Sequence, residues 1–160
     1  MILYHGSNIS IETIDLAQSK RAKDFGQGFY LSADRQQALK MAELTTFRTG
    51  KGCPTITAFE FDECHLKGNT VKVKTFEGYT EEWADFILKN RSNDSDTPIH
   101  PFDIVIGPIA DDMVGMQLRR YFQGYISIGE LVKELSYAKG VTIQYFFGTE
   151  KAVKLLKRRE

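Results

Sequence analysis

The chain has 160 residues, 42% of them apolar and 26% charged, and its 21 basic residues balance 21 acidic ones. This length supports a single domain over 1–160 with a core of its own. The charge balance argues against a broadly basic nucleic-acid binder or a membrane-surface protein, and no run approaches the ~18 apolar residues of a membrane span. No charged-then-apolar leader opens the sequence, so a cytoplasmic location and no membrane partner are expected. Cys53 and Cys64 could pair but are too few for a disulfide framework. The adjacent Cys64-His65 lacks the usual zinc spacing and His100 lies in a loop between Pro98 and Pro101, so no metal site is expected.

In chain order, a short apolar strand from Met1 to Tyr4 ends on His5-Gly6-Ser7. A glycine there lets the backbone approach another group closely, and the histidine adds a directional donor or acceptor. Residues 8–23 show no period and read as a loop. Phe29-Tyr30-Leu31 is strand-like, and Asp34 with Gln37 forms a capping-box pattern ahead of Ala38, Met41, Ala42 and Thr45 on one helical face. Residues 55–63 and 70–76 alternate as half-buried strands. Thr80 should start a helix with Trp83, Phe86 and Ile87 on one face, ending near Arg91.

Residues 92–101 form an exposed loop, and Phe102 to Ile106 a buried strand stopped by Gly107-Pro108. Asp111 or Asp112 should cap a helix running to about Phe122. Ser127 with Glu130 makes a second capping box for a helix that Gly140 closes. Residues 142–147 are a last apolar strand, and Thr149 caps a terminal helix whose basic end is Lys154 to Glu160. Strands and helices follow no strict alternation, which predicts α+β architecture with mainly antiparallel pairing.

Three stretches carry the chemistry: Tyr4-His5-Gly6-Ser7; Asp24 to Ser32, in which Gly26 and Gly28 flank a turn that delivers Tyr30; and Gln144-Tyr145-Phe146-Phe147. Their order and spacing resemble the ADP-ribosyltransferase fold, in its histidine-tyrosine-glutamate branch of diphtheria-type toxins and poly(ADP-ribose) polymerases. The resemblance is strongest to small bacterial domains that share DFGxGFYL and DxVxGPxADD stretches, the latter here from Asp103 to Asp112. It extends from residue 2 to about 156 and implies a split, mainly antiparallel β-sandwich core with flanking helices. It also implies NAD as substrate and mono-ADP-ribosylation of a macromolecular acceptor, protein or nucleic acid. The alternatives in the same pocket are an NAD glycohydrolase and a non-catalytic NAD- or ADP-ribose-binding domain.

By the same resemblance, His5 contacts the adenosine-side ribose, Gly6 gives its backbone to the nicotinamide amide, and Ser7 supports the turn or touches the cofactor. Tyr30 stacks on nicotinamide, with Met41 where the branch has a second aromatic wall. Gln144 orients the nicotinamide ribose. Gly28 shapes the turn, and Lys20, Arg21 and Lys23 of loop 18–27 cover the pyrophosphate. The branch has Glu where this chain has Gln144. An amide carries no charge and cannot act as a base, so Glu150, Asp111 and Asp112 are considered as compensating carboxylates, against a plain helix-capping role for all three. The near-isosteric Gln144→Glu change is expected to keep or raise NAD hydrolysis. Small toxin-like domains of this branch pair with a neutralising protein, for which Trp83 or the 92–101 loop could serve as docking surface.

Overall fold

The computed structural model describes residues 1–137 and 140–159. Its strands are β1 (Ile2–Ser7), β2 (Phe29–Ser32), β3 (Thr55–Phe61), β4 (Val73–Thr75), β5 (Ile104–Pro108), β6 (Ile143–Phe147) and β7 (Leu156–Arg158). Its helices are α1 (Arg35–Thr49), α2 (Glu81–Arg91), α3 (Asp112–Phe122), α4 (Ile128–Ser136) and α5 (Glu150–Val153). Each helix begins where a short polar side chain takes up a free N–H of the first turn. Asp34 accepts from Gln36, Thr80 from Trp83, Asp111 from Val114, Ser127 from Glu130 and Thr149 from Ala152. Only Ser127 and Glu130 complete a reciprocal capping box; Asp34 acts alone, without Gln37.

The strands form one sheet in the order β4-β5-β6-β2-β1-β3-β7, antiparallel throughout except for the parallel β4–β5 pair. The architecture is therefore α+β with a mostly antiparallel sheet and flanking helices. The expected division into two sheets is reduced to a seam. β1 and β2 meet in register at a single pair, Tyr4 opposite Ser32, whereas β1 pairs with β3 over its whole length. From His5 to Ser7, β1 runs on beside β3 alone.

Period-two alternation assigns the two faces. Leu3, Phe29, Leu31, Phe59, Ile104 and Phe147 gather in one core, which continues across the seam and is closed by α5 and by partly buried residues such as Ile11 and Leu16. The opposite face carries Val105 and Phe146 under α2, α3 and α4, whose Trp83, Ile87, Leu118 and Leu131 are buried with them. On that face α1 covers β1 and β3 and also touches β2.

Four local expectations are corrected. The segment after Thr149 is one turn of helix followed by β7, which pairs Leu156 with Phe61 and Arg158 with Phe59, so the basic terminus is strand rather than helix end; Glu160 lies outside the described residues. Within 70–76 only three residues form strand. α4 ends at Ser136 with Tyr137 as its cap, ahead of Gly140; Ala138 and Lys139 lie outside the described residues. Trp83 is wholly buried and donates its indole N–H to the Pro108 carbonyl at 3.2 Å, which removes it as a docking surface. Cys53 and Cys64 are both exposed and free. No helix among the described residues is long and apolar enough to cross a membrane.

Candidate functional site

Register decides which of the expected site residues share a face. Tyr4 opposes Ser32, Ser32 opposes Gln144, and Tyr30 opposes Phe146, so Tyr30 and Gln144 stand on the helix-covered face, two residues apart along the β2–β6 ladder. His5, one residue beyond Tyr4, falls on the other face with Leu3 and Phe29. Its ring stacks on Phe29 at 4.3 Å between centroids. It reaches back to β2 through Nδ1, which lies 2.8 Å from the Tyr30 carbonyl. A carbonyl only accepts, so Nδ1 carries the proton and Nε2 of the neutral ring remains an acceptor. Burial pulls the His5 pKa below its ordinary value; the Tyr30 hydrogen bond opposes this and the Lys23 charge adds to it.

Both site glycines have packing reasons to lack a side chain. A Cβ on Gly6 would meet the Ala38 carbonyl oxygen at 1.9 Å, so it is the backbone of α1 that presses on this strand. A Cβ on Gly28 would meet the Phe146 ring at 2.2 Å. Gly26, at φ 94°, supplies the left-handed residue of the turn.

Tyr30 closes that turn. Its hydroxyl donates to the Gly26 carbonyl at 2.6 Å and accepts the Phe25 N–H at 3.0 Å. Burial pushes its phenol well above the ordinary pKa, which keeps it protonated as a donor. Phe146 packs against the ring at 5.2 Å, and the Lys23 ammonium lies over it at 4.7 Å from the centroid. Arg21 is paired with Asp96 of the 92–101 loop. That loop also holds the turn through His100, whose Nε2 lies 2.8 Å from the Phe25 carbonyl while Nδ1 accepts the Phe102 N–H. The groove between loop and turn is lined by Arg21, Gln27, Asn90 and His100; His5, Tyr30 and Gln144 are not in its walls.

Met41 is 43% exposed on α1, beside the Ala42 that touches Gly6. Ser7 donates to the Asn8 side chain at 3.3 Å, a local turn contact. Asp111 caps α3, Asp112 lies in its first turn, and Glu150 is exposed in the first turn of α5. Those three carboxylates act at helix starts, and none is hydrogen-bonded to Gln144.

The carboxylate beside Gln144 is Asp24, in a turn whose glycines and tyrosine, but not its aspartate, carry the sequence argument. Gln144 Nε2 donates to Asp24 Oδ2 at 3.1 Å and to the Pro108 carbonyl at 3.4 Å. Arg91 of α2 holds Asp24 Oδ1 through Nε at 2.8 Å and Nη2 at 2.7 Å, and the Ala110 N–H approaches Oδ2 at 3.3 Å. Three distant segments thus converge on one largely buried carboxylate. The chain matches, over residues 1–158, the family model described as Protein of unknown function (DUF3990). It belongs to that family. No curated protein and no solved structure matches it. In this DUF3990 chain the polar centre is Asp24, Arg91 and Gln144, set beside Tyr30 at the seam of the sheet. Elsewhere, Asp62, Cys64 and His65 bring three possible ligand atoms within 4.8 Å of one another at the surface, where the Asp62 carboxylate already accepts the Cys64 N–H.

Proposed function

We propose that this chain is an NAD-dependent mono-ADP-ribosyltransferase of the cytoplasm, in an ADP-ribosyltransferase-like fold, that modifies a macromolecular acceptor. The observation that carries the reading is the cation over Tyr30. An electron-rich phenol face that already holds the Lys23 ammonium at 4.7 Å suits a positively charged aromatic ring, and the nicotinamide of NAD is a pyridinium cation. On binding, the nicotinamide displaces Lys23, which leaves this lysine free to meet the pyrophosphate. His5 stacks on Phe29 on the opposite face of the sheet and has no part in this pose. Gln144, on the same face as Tyr30, orients the nicotinamide ribose as the glycosidic bond breaks and positive charge develops at the anomeric carbon.

The decisive experiment incubates the protein with NAD labelled in the adenylate moiety, with and without cell extract, and separates nicotinamide, free ADP-ribose, labelled protein and labelled nucleic acid. Nicotinamide release with label on a macromolecule is the expected result. Nicotinamide with only free ADP-ribose makes the chain a glycohydrolase. NAD binding by calorimetry without any release makes it a binding domain, and neither binding nor release refutes the reading.

A further inference from the structure

We infer that Asp24 is a positioning residue for Gln144, supplying from the 24–28 turn the negative charge that the amide lacks. The inference rests on the ADP-ribosyltransferase reading for its consequence, but on geometry for its content. Both acceptors near Gln144 Nε2, Asp24 Oδ2 at 3.1 Å and the Pro108 carbonyl at 3.4 Å, offer no proton. The amide can therefore sit only one way round, with its NH₂ toward them and Oε1 on the other side. Among the described residues Oε1 accepts no hydrogen bond, and no fully buried side-chain oxygen is left without a partner, so Oε1 keeps some exposed surface although Gln144 as a whole is buried. A neutral side chain is thereby made into a one-sided acceptor.

The carboxylate does more than fix the rotamer. An amide N–H donating to an anion draws electron density toward the amide oxygen, because hydrogen bonds in series polarise one another where the dielectric is low. Arg91 and the Ala110 N–H hold Asp24 in place. The result is a chain Arg91–Asp24–Gln144 whose last atom is an acceptor for a ribose hydroxyl. The same geometry reverses the expectation for Gln144→Glu. A glutamate here brings two carboxylates together and sets an oxygen against the Pro108 carbonyl, so the substitution is damaging rather than neutral or beneficial.

The test compares nicotinamide release and calorimetric NAD affinity for wild type, Asp24→Asn, Gln144→Glu and the double exchange Asp24→Asn with Gln144→Glu, each checked for folding by a melting scan. An asparagine in place of Asp24 cannot present an oxygen to both Arg91 and Gln144, so the amide of Gln144 turns over. Each single variant should lose about 10²-fold in kcat, the scale of one preorganised hydrogen bond, while NAD affinity stays within about 3-fold. In the double exchange the new amide at position 24 donates to the new carboxylate at position 144, and kcat should recover at least about 10-fold over either single variant. A Gln144→Glu enzyme as fast as wild type overturns the inference even if Asp24→Asn fails to fold. So does a folded Asp24→Asn enzyme of wild-type rate, or a folded double exchange no better than its parents. A wild type that neither binds nor cleaves NAD instead overturns the underlying reading, and the role of Asp24 falls with it.

Discussion

Gly6→Ala separates two reasons for a glycine at the end of β1: room for a ligand, and room for a helix. The added Cβ would lie 1.9 Å from the Ala38 oxygen, 2.8 Å from the Ala42 nitrogen and 2.9 Å from the Ala38 carbonyl carbon, all backbone atoms of α1. Backbone in the second turn of a helix cannot rotate aside as a side-chain tip does. Ordinary contact begins near 3.4 Å, so α1 must withdraw by about 1.5 Å, lifting the buried Ala38 and Ala42 off β1. That places the cost near the upper end of overpacking penalties, about 3 kcal/mol. For a chain of this size it corresponds to a fall in Tm of about 6–12 °C. Gly78→Ala is the control, because nothing lies within 4 Å of its Cβ. Thermal melts of the two variants, with hydrogen exchange over residues 35–49, measure the effect. A Gly6→Ala protein that melts within about 2 °C of wild type with unaltered exchange in α1 would show the helix argument to be wrong. If that protein had also lost NAD binding, the ligand would be the sole reason for the glycine.

Tyr30→Phe keeps the ring and removes the hydroxyl that bonds both Phe25 and Gly26; it should cost about 2 kcal/mol and speed exchange of the Phe25 amide, and an unchanged exchange rate there would contradict the role assigned to the hydroxyl. His5 and His100 both have pKa values lowered from 6.5, mainly by burial, so folding favours their neutral forms. Their contribution to stability is complete above 6.5 and is lost as pH falls below it toward the depressed folded values. Tm should therefore decline between about pH 7 and about pH 5, above the range where carboxylates dominate, and a His5→Gln/His100→Gln protein should show a flatter profile. An identical decline in both proteins would refute the assignment.

Most helix starts were legible because a cap is a local contract: Thr80, Ser127 with Glu130, and Thr149 each bond an N–H three residues ahead. Strands with an unbroken apolar run, such as β6, were legible for the same reason. β7 was not, because nothing in its own basic residues specifies strand; what makes it one is the free edge of β3, to which it is joined in register from Phe59 to Phe61. The alternation over residues 70–76 did announce β4, although only Val73–Thr75 pair, in parallel with β5. At the site, the residues themselves were more legible than their neighbours. Tyr30 and Gln144 do share a face, but His5 does not, because the single register pair Tyr4–Ser32 sets the parity and no local pattern reveals it. Asp24 was hidden because its partners lie 67, 86 and 120 residues further along the chain. The physical hint was present all the same: an amide where the resembling family has a carboxylate asks for a negative charge nearby.

The seam between β1 and β2 also gives the sheet an uneven stiffness. Four strands on one side and three on the other are each laced by continuous ladders, while one rung joins the two sets. Across that line the apolar core of one face is continuous; on the other face α1 covers β1 and β3 and touches β2, while the α2–α4 group lies over β5, β6 and Tyr30 of β2. The sheet is therefore built like a bound book, with its spine on the face of the continuous core and its two pages meeting at the seam. Parting them strains that rung, the His5–Tyr30 hydrogen bond and the contacts of α1 with β2, instead of unzipping a full ladder. Tyr30 lies on β2 at the inner margin of one page, and Gln144 on β6 stands one strand further from the seam.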